Sequence, residues 1–210
     1  MDRATFVDRE NWRGSYYELA IELGPAGDDE RLVEALRELW SHCLLRGPWT
    51  LREKYPGPSH VPDAGASSHH LYGIGDLGRI GLGCVSHVLR ENDGSDWRDL
   101  CIPMGMLELA FPVRHPLEYE PNAWIHRVDY FFARIAHQVY SSGGFRLALI
   151  GEEVSGAVSS ATIADSVCDR QMLMLLPESL WNQLSPVNCR HASLADGLMV
   201  VDCRSAGGSN

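Results

Sequence analysis

Lysine is nearly missing from this chain: Lys54 is the only one, and arginine supplies almost all of the positive charge. The scarcity has chemical consequences. A phosphate-binding P-loop and a kinase site each need a lysine at a set place near a glycine-rich turn, and Lys54 lies in Arg52-Glu53-Lys54-Tyr55, away from any such turn. A Schiff-base mechanism would rest on that single residue. The strings G-x-S-x-G and HExxH are also missing, which removes the nucleophile elbow and the helical zinc-protease pair. The six cysteines include no CxxC pair, in a chain too long to need a disulfide framework, so they read as reduced thiols, mostly buried. No apolar run reaches the roughly eighteen residues of a membrane-spanning helix, and the start Met1-Asp2-Arg3-Ala4-Thr5-Phe6 has neither the basic nor the apolar stretch of a signal peptide. A cytoplasmic protein without membrane contact is the expectation.

What is present is a chain of 210 residues, 45% hydrophobic, enough to bury one substantial core. A single domain over residues 1–204 is expected, with a core at about 15–151, an extension at about 170–204 and a disordered tail at 205–210. The net charge of -10 repels phosphate backbones and anionic lipid, so nucleic acid is not expected as a partner, whereas a basic protein is.

Tyr16 to Leu23 alternates as a half-buried strand, with Tyr17, Leu19, Ile21 and Leu23 on one face and Tyr16, Glu18, Ala20 and Glu22 on the other. Gly24-Pro25-Ala26-Gly27 breaks it, and Asp28 and Asp29 open a helix to about Leu45. Residues 47–70 are rich in Pro, Gly, Ser and His and read as a long surface connection. Arg79 to Leu89 and Leu100 to Phe111 form an expected hairpin, Asn122 caps a helix to Tyr140, and Phe145 to Ile150 is a strand. This order predicts an α+β fold: a ferredoxin-like βαββαβ unit, an antiparallel sheet with helices on one face. Gln171 to Leu176, Pro177 to Leu184 and Gly197 to Cys203 add a C-terminal β-α-β extension.

Candidate sites are sparse. Gly73-Ile74-Gly75-Asp76-Leu77-Gly78 matches G-x-G-x-x-G, but no buried strand precedes it and no helix follows, so its glycines read as bend and close-approach positions rather than a nucleotide loop. His60, Asp63, His69 and His70 put three imidazoles and a carboxylate in one loop, the residue types that hold zinc or a similar divalent ion. Otherwise no cofactor is expected. His126, Tyr130, Ala133 and His137 share a helical stripe with Asp129 beside them, where a histidine bonded to backbone or to Asp129 is the simpler reading than proton transfer. Cys84 and His87, three apart on a strand, face opposite sides and form no thiolate pair. Glu152 with Glu153, and Glu118 with Glu120, read as solvated carboxylates.

Trp12, Trp49, Trp97 and Tyr119 fall in or beside loops, where they either plug the core edge or anchor a partner at an interface. The leading functional expectation is a non-catalytic protein-interaction module, an acidic immunity-type or regulatory protein that binds a basic partner. One alternative is a small-molecule or metal-dependent enzyme with its site near the His60 to His70 loop. Another is a homo-oligomeric accessory module, such as a homodimer joined through open sheet faces or edges.

Overall fold

The computed structural model describes residues 1–61, 70–90, 94–165, 172–184 and 189–204. Among these residues nine strands form one antiparallel sheet: β1 (Tyr16–Pro25), β2 (Leu45–Trp49), β3 (Leu71–Asp76), β4 (Gly81–Arg90), β5 (Ser95–Pro103), β6 (Leu147–Glu152), β7 (Leu173–Pro177), β8 (Arg190–Ser193) and β9 (Leu198–Asp202). Their spatial order is β2-β3-β4-β5-β1-β6-β7-β9-β8. The helices are α1 (Arg3–Val7), α2 (Asp29–Ser41), α3 (Met104–Glu108), α4 (Ile125–Gly143) and α5 (Glu178–Trp181).

This corrects the ferredoxin-like expectation. The chain builds neither a βαββαβ unit nor a separate C-terminal β-α-β extension, but one nine-stranded sheet. Two causes can be named. The stretch read as a surface connection supplies the end of β2, and the glycine-rich string after it is β3, paired to β4 from Leu71↔Ser86 to Asp76↔Gly81. At the other edge, β7 pairs directly with β6, and β9 and β8 follow, so the C-terminal residues lengthen the same sheet. The glycines hid β3 because they remove the alternating side chains that mark a strand. A Cβ on Gly73 would lie 2.3 Å from the Trp40 ring, and one on Gly75 2.6 Å from Phe131, so these positions are bare to let α2 and α4 press onto the sheet.

The two longer helices cover one face. Tyr17, Leu19, Ile21 and Leu23 of β1 join Leu32, Leu36 and Leu39 of α2 and Val128, Phe132 and Ile135 of α4 in the main core. Asp28 caps α2 as expected, its carboxylate accepting from the Arg31 amide at 3.0 Å. Asn122 does not cap α4. It is wholly buried and ties the preceding loop, its Nδ2 donating to the Arg114 and Glu118 carbonyls and its Oδ1 accepting from the Arg114 amide.

The opposite face carries two smaller clusters. Leu147, Leu149, Met174, Val201 and Trp97 pack together at one end, and Phe6, Trp49, Tyr55 and Ile74 at the other. On the same face lie Glu18 and Glu22, which the alternation assigns to the outward side yet which are 4% and 1% exposed. The segment after β6 explains their burial. Glu18 Oε1 accepts from the amide and hydroxyl of Ser155, and Glu22 accepts from the amide and hydroxyl of Ser160. The two carboxylates hold that segment down on the sheet.

Cys189 and Cys203 are bridged as a disulfide, which corrects the reading of all cysteines as reduced thiols and removes cysteine usage as support for a reducing compartment. Of the others described, Cys43 is exposed and Cys84 and Cys101 are buried. No described helix is long and apolar enough to cross a membrane.

Candidate functional site

Polar side chains come together in several recesses among the described residues, two of them at the start of β1. The first is a cleft of about 610 Å³ at the end of the sheet where β1 begins and β6 ends. Its rim carries Glu118, Glu120, Glu152 and Glu153, all exposed and none paired with a described cation. In sequence these are two unremarkable pairs. Antiparallel pairing of Tyr17 with Glu152 sets one beside the start of β1, and the loop tied by Asn122 carries the other to the same opening.

Beneath the rim is a buried network centred on Asp129. Tyr17 donates to its Oδ1 at 2.7 Å, Tyr119 to its Oδ2 at 2.5 Å, and the Arg204 guanidinium lies 3.1 Å from Oδ2. Arg204 also pairs with Asp202 at 3.0 Å and stacks 4.2 Å over the Tyr119 ring. Burial raises the Asp129 carboxyl above the usual aspartate value, and Arg204 with the two phenols only partly offsets this. Burial and the Asp129 charge push both phenols up, so Tyr17 and Tyr119 act as donors. Asp129 therefore bonds the tyrosines and Arg204, while His126 stacks on the far side of Tyr119 at 4.2 Å. The chemistry on view is recognition of a guanidinium by carboxylates and an aromatic face, with the chain's own Arg204 as the guest.

The second recess is a groove of about 550 Å³ on the sheet face opposite α2 and α4, lined by Arg9, Trp12, Tyr16, Arg52, His70, Tyr72, Val85 and His87. Register explains its polar floor. His87 of β4 stands directly across from Asp99 of β5, and Cys101, two residues on, stands across from Glu18 of β1. His87 Nε2 is 3.2 Å from Asp99 Oδ2, and His87 Nδ1 is 4.0 Å from the Cys101 sulfur. Asp99 is wholly buried, and neither of its oxygens has a well-formed hydrogen bond. The adjacent Asp99 carboxylate raises His87, whereas burial, helped by His87, lowers His70, whose ring lies 5.6 Å away. The order cysteine, histidine, aspartate does not make a thiolate nucleophile. Cys101 is buried and donates to Glu18 at 3.4 Å, and burial with the nearby carboxylates pushes its thiol well up.

The proposed metal loop is only partly in view. His60 and Asp63, with His69 and His70, were its four donors; His60 is exposed, His70 lies on the second groove, and Asp63 and His69 fall outside the described residues. Among the described residues no group of three or more donors is placed to hold a metal ion. The loop aromatics also part company. Trp97 is wholly buried in the second core cluster and Trp49 is buried with its Nε1 on the Gly57 carbonyl, so both fill the interior. Trp12 lines the second groove, with Nε1 donating to the Phe6 carbonyl, and Tyr119 lines the acidic cleft.

Sequence reasoning missed His87 with Asp99, Tyr17 with Asp129, and Arg204. The signal for the first pair was a histidine and an aspartate on adjacent hairpin strands, which needs the register to read. The chain matches no protein-family model, no curated protein and no solved structure.

Proposed function

We propose that the protein is a non-catalytic interaction module, an acidic immunity-type or regulatory protein, that binds a basic protein partner through the cleft at the β1/β6 end of the sheet. The observation that carries this is the convergence of Glu118, Glu120, Glu152 and Glu153, unpaired with described cations, on one opening in a chain of net charge -10. Unpaired like charges around a recess repel one another, and a partner's arginine or lysine relieves that repulsion on docking. The Arg204 guanidinium below them, set between Asp129, Asp202 and the Tyr119 ring, supports an arginine as the entering group.

The test is an association rate. A basic partner captured on the full chain is expected to bind with a rate that falls steeply with added salt. The rate is also expected to drop when Glu118, Glu120, Glu152 and Glu153 are together replaced by glutamine. A partner whose rate ignores both salt and the four substitutions contradicts the proposal.

A further inference from the structure

The second groove runs against the charge of the whole. In a chain of net charge -10, Arg9 and Arg52 line it together, and neither donates to nor pairs with any described residue. Arg52 is held all the same, its guanidinium 5.4 Å from the Trp12 ring and 5.7 Å from the Tyr72 ring. Stacking engages the faces of a guanidinium and leaves its edge N–H donors unspent. A positioned arginine with free edge donors is organised for an oxyanion.

Asp99 adds a second, separate observation. A wholly buried carboxylate without a well-formed hydrogen bond destabilises a fold unless it serves as a counter-charge, and the nearest cationic group is His87 at 3.2 Å. His87 in turn lines the groove, so the buried aspartate favours the protonated form of the ring at its floor.

We propose that this groove binds a phosphate monoester, its phosphoryl group held by Arg9 and Arg52 above the His87–Asp99 pair and its organic part lying along Trp12 and Tyr16. A carboxylate is the poorer fit: a single negative charge satisfies one arginine fork, whereas a phosphoryl dianion with three equivalent oxygens uses the forks of both arginines. The groove shares no lining residue with the cleft assigned to the protein partner, and the proposal stands or falls independently of that one.

Calorimetric titration of the full chain with phenyl phosphate, and with benzoate as the monoanionic control, tests the assignment. Saturable binding of phenyl phosphate is expected, with benzoate weaker by about tenfold or more. Arg52→Gln is expected to weaken phenyl phosphate by about tenfold or more and Arg52→Lys by less, because lysine keeps the charge and loses the fork. Arg9 is exposed and bonded to no described residue, so Arg9→Gln gives a folded variant whose affinity must also fall. Absence of saturable binding overturns the proposal. So does benzoate binding as tightly as phenyl phosphate, or an affinity unchanged in either Arg9→Gln or Arg52→Gln.

Discussion

Single residues in this protein are most informative where charge is buried. Glu18 is raised above the ordinary glutamate value, chiefly by burial, so its stabilising share is fully present in acid and is lost as pH rises through the raised value. Glu18→Gln keeps an acceptor for Ser155 and never ionises. Thermal melts across the acid-to-neutral range are expected to show wild type and variant alike in acid, with the variant gaining toward neutral pH; a variant that loses ground there refutes this assignment. His87 is raised by the Asp99 carboxylate, so that contribution too is complete below the ordinary histidine value and fades as pH climbs through the raised one. In Asp99→Asn the His87 ring is expected to titrate at lower pH than in wild type, read from its imidazole proton signals. An unmoved titration would show that the 3.2 Å pair carries no charge coupling.

Elements here are shaped by what presses on them. β3 is thin in side chains because α2 and α4 lie against it: Trp40 fills the space over Gly73 and Phe131 the space over Gly75. Adding a methyl group overpacks a core by about 1–3 kcal/mol. Gly75→Ala is therefore expected to destabilise by that amount in urea unfolding, since the ring of Phe131 must shift from 2.6 Å, while the groove on the opposite face keeps its ligand affinity. Loss of affinity together with stability would mean that the two faces of β3 are not independent. The segment after β6 is the converse case, an element without regular structure held by two buried carboxylates through Ser155 and Ser160.

For the molecule as a whole, the end of the described chain is fastened to its middle. Arg204 reaches across to Asp129 of α4 and to Asp202 at the end of β9, with side chains of Arg204 and Asp129 only 8% and 7% exposed. Removing one partner of a buried ion pair leaves the other charge uncompensated, a loss of about 3–5 kcal/mol. Arg204→Met is expected to lower stability by that order, and adding Asp129→Asn is expected to recover part of it. Equal stability of wild type and Arg204→Met in denaturant would show that the buried network is held by the tyrosines alone. The same network forms the floor of the acidic cleft, so the global fold and the proposed partner site share one set of charges.

Periodicity was enough to locate β1, α2, α4, β4 and the last strand, because a core-facing side writes a period of two or of 3.6 into the chain, whereas the strand expected at Leu100 to Phe111 begins at Ser95 and gives way to α3 after Pro103, its uniformly buried residues carrying no alternation. It also separated Tyr17, Leu19, Ile21 and Leu23 from Glu18 and Glu22 correctly as two faces. It did not reveal that the second face is covered, since a carboxylate that caps serines looks the same in sequence as one in water. β3 was invisible because its glycines are chosen by the helices above them rather than by the strand. The two recesses were beyond reach for a related reason. His87 meets Asp99, and Glu118 meets Glu152, only through strand register and loop closure, and these are decided by packing between segments far apart in the chain.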